Sequence, residues 1–288
     1  MTSAKAQNTA LIAALQWHVD NHAGFAWAES PVDATSVPEL ETHDKVSAKT
    51  SSQQSMASGP LSSAPGQTDA KTDIEGTAQL RSESIALAEK ANSLDDLKSA
   101  IAEFDGLSIK KTASNLVFAD GTPDARVMII GEAPGADEDR QGLPFVGKSG
   151  QLLDRIFASI DLARHAEDPA KAVYITNILN WRPPGNRTPT PAEIEIALPF
   201  VEKHIALINP DILVLCGGIS AKALLNESRG ITKLRGRWVS FAPQTLKTPL
   251  NKEIQALATF HPSFLLRNPA QKKAVWQDML SLQSQISS

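Results

Sequence analysis

Several features that would place a chain in a familiar class are scarce in this sequence. Its 288 residues include one cysteine, Cys216, and one tyrosine. A single cysteine excludes an intrachain disulfide and any metal site built from several cysteines of one chain. No apolar run approaches the roughly 20 residues that a membrane helix needs, and the first residues lack the basic and long apolar stretches of a secretory signal. We therefore expect a cytoplasmic protein with no membrane partner.

The net charge of −4 is unevenly distributed along the chain. Residues 1–80 carry 4 basic and 9 acidic side chains, whereas residues 182–288 carry 13 basic and 7 acidic ones. The C-terminal part can meet phosphates, because the local field at a docking face decides binding rather than the net charge. This distribution permits a nucleic-acid partner without identifying one.

Composition divides the chain into three parts. Residues 1–28 contain apolar side chains at helical intervals, which predicts a short N-terminal helix. Residues 29–81 are rich in Ser, Ala and Pro, and such a stretch buries too little apolar area to offset the entropy of ordering. We predict a disordered linker there. Residues 82–288 are predicted to form one folded domain.

Four short apolar runs in this domain are rich in β-branched residues, as is typical of strands covered on both faces. They cover residues 126–132, 173–179, 212–218 and 254–260. Helical patterns separate them, and one begins with Thr190 as cap, Pro191 at the first position and Glu193 closing a capping box. The alternation predicts a three-layer α/β/α fold with a central four-stranded, mostly parallel twisted sheet.

Polar residues follow these strands at the edge where such sheets bind ligands. The first strand runs into GEAPG with Glu132, the second carries Asn177, and the fourth runs into HPSFLLRNP with His261. Each has an ordinary explanation: the asparagine could cap a turn, the histidine could be structural, and Phe145 in the loop after GEAPG could belong to the core. Their joint placement at successive strand ends indicates a functional site.

Three segments together resemble the family 4 uracil-DNA glycosylases. They are GEAPGADEDRQGLPFVGKSGQLL, YITN followed by RPPGNRTPTPAE, and HPSFLLRNP. The resemblance extends in the same order and spacing from Val117 to Leu280. It implies a monofunctional enzyme of base excision repair, which flips uracil out of single- or double-stranded DNA and hydrolyses its N-glycosidic bond to leave an abasic site.

The resemblance assigns roles to the residues that match. Glu132 would orient the water that attacks the sugar, and backbone amides of its loop, at Ala133, would hold uracil O2. Phe145 would stack on the flipped base. Asn177 would read uracil N3 and O4, and His261 would donate to O2 as negative charge develops there.

Further residues are assigned to DNA or to water. The candidate DNA contacts are Leu265, Arg267, Arg187 and Arg235. The leucine would enter the base stack that uracil vacates, and the arginines would lie near phosphates; for Arg235 a solvated turn is the alternative. Glu138 and Asp139 are second candidates for positioning water, and here the alternative is that both are solvated loop carboxylates.

The sequence departs from the family at the ligands of the iron–sulfur cluster. Most members use four cysteines to hold a 4Fe-4S cluster. The corresponding positions here are Phe104, Leu107, Trp181 and Ala197. We therefore predict that the chain has no cofactor and that apolar packing at these positions stabilises the same loops.

Two interpretations stay open. The chain is either an active glycosylase, expected to be a monomer, or a non-catalytic uracil-binding, DNA-binding or scaffold protein on the same fold. In the second case the N-terminal helix is a candidate for binding a protein partner. A generic nucleotide-binding enzyme is disfavoured, because no predicted strand runs directly into a GxGxxG or GK[ST] loop. Covalent trapping of DNA is also disfavoured, because GNRTPTPAE contains neither a histidine nor an insertion.

Overall fold

The computed structural model of the protein describes residues 68–247 and 250–287. The N-terminal helix predicted within residues 1–28 and most of the predicted linker lie outside these residues. A helix, α1, spans Thr68–Lys90 and crosses the boundary predicted at residue 82. Residues 68–81 are therefore helical rather than part of a linker. Among the helices that the structure describes, none has the length and apolar character to cross a membrane.

The described residues form one six-stranded sheet, where four strands were predicted. The strands are β1 Asp120–Gly121, β2 Val127–Gly131, β3 Val173–Asn177, β4 Ile212–Cys216, β5 Trp238–Phe241 and β6 Ile254–Thr259. Their order across the sheet is β1-β3-β2-β4-β6-β5. The four central strands are the predicted ones and run parallel, while β1 and β5 pair antiparallel at the edges. The edge strands escape prediction because β1 has two residues and β5 carries exposed side chains.

Helices cover both faces of this sheet, so the predicted three-layer fold is confirmed. The remaining helices are α2 Leu94–Glu103, α3 Ala136–Gln141, α4 Lys148–Ala158, α5 Pro191–Ile208, α6 Gly218–Leu225, α7 Ile231–Leu234, α8 Pro262–Arg267 and α9 Lys272–Ile286. Alternate residues of β2 serve opposite layers. Met128 and Ile130 pack with α1, α2, α5 and α6, while Val127 and Ile129 pack with α4, α8 and α9.

The start of α5 follows its local sequence. The hydroxyl of Thr190 accepts from the Glu193 amide at 3.2 Å, and the Glu193 carboxylate accepts from the Thr190 amide at 2.8 Å. This is the predicted capping box, with Pro191 at the first helical position where no amide donor is needed. It fixes where the segment after β3 turns back along the sheet.

A buried ion pair joins the last helix to the sheet. Asp278 in α9 has a side chain only 1% exposed and pairs with Arg235, which follows α7, at 2.5 Å. Thr259 at the end of β6 donates its hydroxyl to the same carboxylate at 2.7 Å. Burial raises the pKa of Asp278, and the bonds from Thr259 and Arg235 offset part of that rise. Arg235 also donates to the Ala274 carbonyl and lies over the Phe260 ring.

Replacing Arg235 with glutamine should destabilise the domain by about 3–5 kcal/mol, because it leaves the Asp278 charge buried without its partner. Urea denaturation of the variant and the parent measures this difference. Lys233→Gln removes an exposed charge two residues away and should change stability by less than about 0.5 kcal/mol. An Arg235→Gln variant as stable as Lys233→Gln would contradict this account of the ion pair.

Candidate active site

The predicted strand ends do come together. Gly131 of β2 and Asn177 of β3 are paired positions of neighbouring parallel strands. A Cβ added to Gly131 would lie 2.3 Å from Oδ1 of Asn177 and 2.5 Å from Cζ of Phe145. A side chain at residue 131 would therefore displace both the amide and the ring. Glycine at the end of β2 lets these two groups meet above the strand.

Phe145 and His261 form the second contact of the site. Their rings stack with centroids 5.5 Å apart and planes inclined by 29°. Phe145 is buried, yet its φ of 54° lies in the left-handed region that residues other than glycine seldom adopt. The ring thus belongs to the core and also faces the imidazole, so the structure supports both readings of this residue.

His261 is held as a neutral hydrogen-bond donor. Its Nδ1 accepts from the Ser263 amide at 3.2 Å and lies 2.8 Å from the Ser263 hydroxyl. Burial, together with the nearby charge of Arg267, lowers the pKa of His261 to about 4. The ring is therefore neutral at pH 7, and because Nδ1 accepts the amide N–H, its one proton sits on Nε2. Nε2–H can donate without carrying a positive charge.

Glu132 offers a carboxylate without a protein partner. Its side chain is half-buried, and no described residue donates a hydrogen bond to it. Burial raises the pKa of Glu132. The backbone carbonyl of Glu132 accepts from the Leu179 amide at 3.1 Å, which ties the loop after β2 to the chain after β3. The neighbouring amide of Ala133 donates to no described residue, so it too is available to a ligand.

Glu138 and Asp139 do not have the water-positioning role that the sequence suggested, nor are they solvated. Both are buried and bind backbone amides. Glu138 accepts from the amides of Val146 and Gly147 at 3.0 and 2.9 Å and from that of Gly135 at 3.1 Å. Asp139 accepts from the amides of residues 114 and 115 at 2.8 and 3.2 Å. These carboxylates hold the loops of the site instead of reacting.

One pattern in the sequence needs the structure for its interpretation. Residues 142–149 read GLPFVGKS and match the GxxxxGK[ST] spacing of a phosphate-binding loop. The segment follows the helix α3 rather than a strand. Two of the amides that would bind a phosphate, those of Val146 and Gly147, are already bonded to Glu138. The match is therefore not a nucleotide site.

The apolar wedge predicted at Leu265 is one residue out of place. Leu265 is fully buried among side chains of α4 and α9, whereas Leu266 is 47% exposed. Successive residues of a helix are about 100° apart, so an inward Leu265 turns Leu266 outward. Sequence reasoning missed Leu266 because the two leucines are adjacent and alike. The signal that separates them is the direction in which α8 packs.

The predicted phosphate contacts fare differently. Arg267 is exposed and close enough to His261 to lower its pKa. Arg187 is exposed as well, but it donates to both oxygens of Glu193 at 2.9 and 2.6 Å, which neutralises much of its charge. Arg235 is contradicted as a DNA contact, because its guanidinium is engaged in the buried pair with Asp278.

The four positions that replace cluster ligands lie in one apolar cluster. They are Phe104, Leu107, Trp181 and Ala197, and all are buried. These side chains carry no sulfur and do not fit as ligands of an iron–sulfur cluster. Cys216 lies in the apolar cluster on the other face of the sheet, where burial raises its pKa to about 12. Among the described residues no group of three or more His, Cys, Asp or Glu is placed to hold a metal ion.

Comparison with known proteins identifies relatives. The uracil DNA glycosylase superfamily matches residues 118–280. A type-4 uracil-DNA glycosylase of Archaeoglobus fulgidus is 36% identical over 187 residues, which cover 62% of this chain and 85% of the relative. One from Thermotoga maritima is 38% identical over 156 residues, or 54% of this chain and 73% of the relative. A type-5 uracil-DNA glycosylase of Thermus thermophilus is 34% identical over 115 residues, or 36% and 52%.

These relatives overturn the prediction of a chain without a cofactor. Type-4 uracil-DNA glycosylases are the family known to bind an iron–sulfur cluster, so the relationship points to the cluster. The apolar residues at the four corresponding positions do not supply its ligands, and the mechanism considered below uses no step through it.

The superfamily match encloses the whole sheet, from Asp120 at the start of β1 to Thr259 at the end of β6. It also contains the three segments on which the resemblance rests, and the structure brings their polar residues to one edge of that sheet. The chain belongs to the uracil DNA glycosylase superfamily, among the type-4 enzymes.

Proposed function

We propose that this protein is a monofunctional uracil-DNA glycosylase, which removes uracil from DNA and leaves an abasic site. The observation that carries the proposal is the meeting of Asn177, Phe145 and His261 at the ends of parallel strands, with the free carboxylate of Glu132 on the loop after β2. Each of the four has a different task in the reaction. A protein that only binds DNA would not need a carboxylate without a partner beside an uncharged donor.

Recognition begins after the base leaves the duplex, which costs a few kcal/mol. The flipped uracil stacks on Phe145, and stacking of a base on an aromatic ring contributes about 1–3 kcal/mol. The Asn177 amide donates to O4 and accepts from N3–H of uracil. Cytosine has an acceptor at N3 and an amino group at C4, so it presents the opposite pattern. Because Asn177 is buried, a mismatched base leaves its polar atoms without partners.

Cleavage of the C1′–N1 bond sends its electron pair to uracil and leaves a cationic, oxocarbenium-like sugar. The negative charge develops at O2, where His261 Nε2–H and the Ala133 amide donate. A fixed donor of this kind is worth roughly 3–4 kcal/mol in the transition state. His261 can serve uncharged, since its task is to donate a hydrogen bond and not to transfer a proton.

Water completes the reaction at the sugar. Its oxygen forms a bond to C1′ as the glycosidic bond breaks, and its proton passes to the carboxylate of Glu132. Burial favours this step because it raises the pKa of Glu132 and makes the carboxylate a better proton acceptor. The sugar is already cationic, so orienting the water is the main requirement.

DNA binding is assigned to the exposed end of α8. Leu266 fills the gap that uracil leaves in the base stack, and Arg267 meets a neighbouring phosphate. The cytoplasmic location, the monomeric state and the partner-binding role of the N-terminal helix stay predictions.

The proposal is tested with a labelled oligonucleotide that contains one uracil, either single-stranded or opposite guanine. Hot alkali after incubation reveals abasic sites, and an oligonucleotide with thymine at the same position is the control. Breaks at uracil alone support the proposal. Intact DNA with retained binding would favour the non-catalytic uracil- or DNA-binding interpretation instead.

Glu132→Gln should lower the single-turnover rate by about 100- to 10,000-fold, because the amide cannot accept the proton. The parent rate should fall as pH drops through the raised pKa of Glu132, since only the ionised form accepts. The acidic limb should therefore lie above the ordinary value of 4.5. Single-turnover rates across pH measure both effects.

Binding of the uracil oligonucleotide by Glu132→Gln serves as the control and should match the parent. A limb that persists in the residual activity of this variant would assign the titration to another group. Protonation of His261 is the alternative, and it would place the limb near pH 4.

Leu266→Ala should slow excision from duplex DNA about tenfold, because the vacated stack is no longer filled, and should leave single-stranded excision and thermal stability unchanged. Leu265→Ala is the matched control, in which the same side chain is deleted one residue away. It should destabilise the domain by about 2–5 kcal/mol with normal activity per folded molecule. The reverse assignment would follow if only Leu265→Ala impaired duplex excision.

A further inference from the structure

The segment 144–147, which carries Phe145, is bonded to charged side chains on both sides. Arg164, in the connection between α4 and β3, donates from Nη1 to the Pro144 carbonyl at 3.1 Å and from Nη2 to the Phe145 carbonyl at 2.9 Å. Glu138 accepts from the amides of the next two residues. Four consecutive residues therefore each have a backbone group bonded to a charge.

Arg164 is itself fixed by two carboxylates. Asp120 in β1 accepts from Nη1 at 2.8 Å, and Asp154 in α4 accepts from Nε at 3.0 Å and from Nη2 at 2.7 Å. The guanidinium has five N–H groups, and these two carboxylates and two carbonyls supply five acceptor contacts. Its side chain is only 11% exposed. Lysine, with three donors on a single nitrogen, cannot reproduce this planar arrangement.

Phe145 needs such support because of its backbone. Its φ of 54° is unfavourable for any residue with a Cβ. Helix α4 passes so close that a Cβ on Gly150 would lie 1.8 Å from the Phe145 carbonyl oxygen. The carbonyl that Arg164 binds is therefore confined between the guanidinium and the first turns of α4. The direction of this carbonyl and the φ of Phe145 together set where the ring projects.

We propose that Arg164 is a positioning residue for uracil recognition: it holds the Phe145 backbone in its left-handed conformation and so fixes the ring on which the base stacks. This inference rests on the proposed function, because the stacking role of Phe145 does. Arg164 acts through Phe145, since its own contacts are backbone carbonyls and carboxylates rather than the base pocket.

The test compares Arg164→Gln, Phe145→Ala and the double variant by inhibition with free uracil, which reports base binding without DNA. Arg126→Gln is the matched control. Arg126 also pairs with a carboxylate, Asp211, at 2.6 Å and donates to a carbonyl, that of Ile286, at 3.2 Å. It precedes β2, at the opposite end of the strand from the site.

Phe145→Ala should weaken inhibition by uracil about five- to hundredfold, and Arg164→Gln about tenfold. The double variant should be within about twofold of Phe145→Ala, since a positioning residue has nothing left to position. Arg126→Gln should inhibit like the parent. Arg164→Lys, which keeps the charge, should lie between Arg164→Gln and the parent, and it carries the comparison if Arg164→Gln does not fold.

Equal losses from Arg164→Gln in the parent and in the Phe145→Ala background would overturn the proposal, as would an equal loss in Arg126→Gln. Hydrogen exchange of residues 143–147 gives a readout independent of activity. Exchange should be faster in Arg164→Gln than in Arg126→Gln, and equal exchange also overturns the proposal. If the parent neither excises nor binds uracil, the proposed function fails and this inference with it, and the exchange data then show whether Arg164 nevertheless holds the segment.

Discussion

The arrangement of the whole site depends on one close approach, at Gly131. The parallel register of β2 and β3 places this residue beside Asn177, and only a hydrogen atom separates its backbone from the amide oxygen and the Phe145 ring. Both strands are buried on both faces, so a shift of one residue would move every side chain into the wrong layer. The packing of the core therefore fixes the register, and the register places the recognition groups in contact.

Around this contact the loops are held by buried charges more than by apolar packing. Strand ends leave backbone amides and carbonyls that must find partners once they are buried. Here carboxylates take the amides and a guanidinium takes the carbonyls: Glu138 and Asp139 on α3, and Arg164 before β3. Acidic residues close to a catalytic loop resemble reactive groups in a sequence, but two of the three in this loop serve its architecture. The remaining one, Glu132, is free to react because nothing in the fold uses it.

What the sequence could predict follows the distance over which each feature is determined. The four central strands and the capping box at Thr190 depend on neighbours a few residues away, and the convergence of Asn177 and His261 follows from parallel strand order alone. The environment of Arg235 depends on Asp278, 43 residues further on, and the orientation of Leu265 depends on how α8 meets α4. The cofactor is a different case, because a count of sulfur atoms addressed the residues and the family relationship overturned it.

Burial also sets the chemistry of the pocket, and it acts with opposite sign on its two titratable groups. It disfavours charge in both, so it raises the pKa of Glu132 and lowers that of His261. The result is a more basic carboxylate beside an uncharged donor, which is the pair that hydrolysis of a glycosidic bond to uracil requires. A base that fills the pocket expels further water and strengthens both shifts. Recognition and catalysis are thus coupled through solvent: the base that fits best leaves Glu132 the strongest proton acceptor.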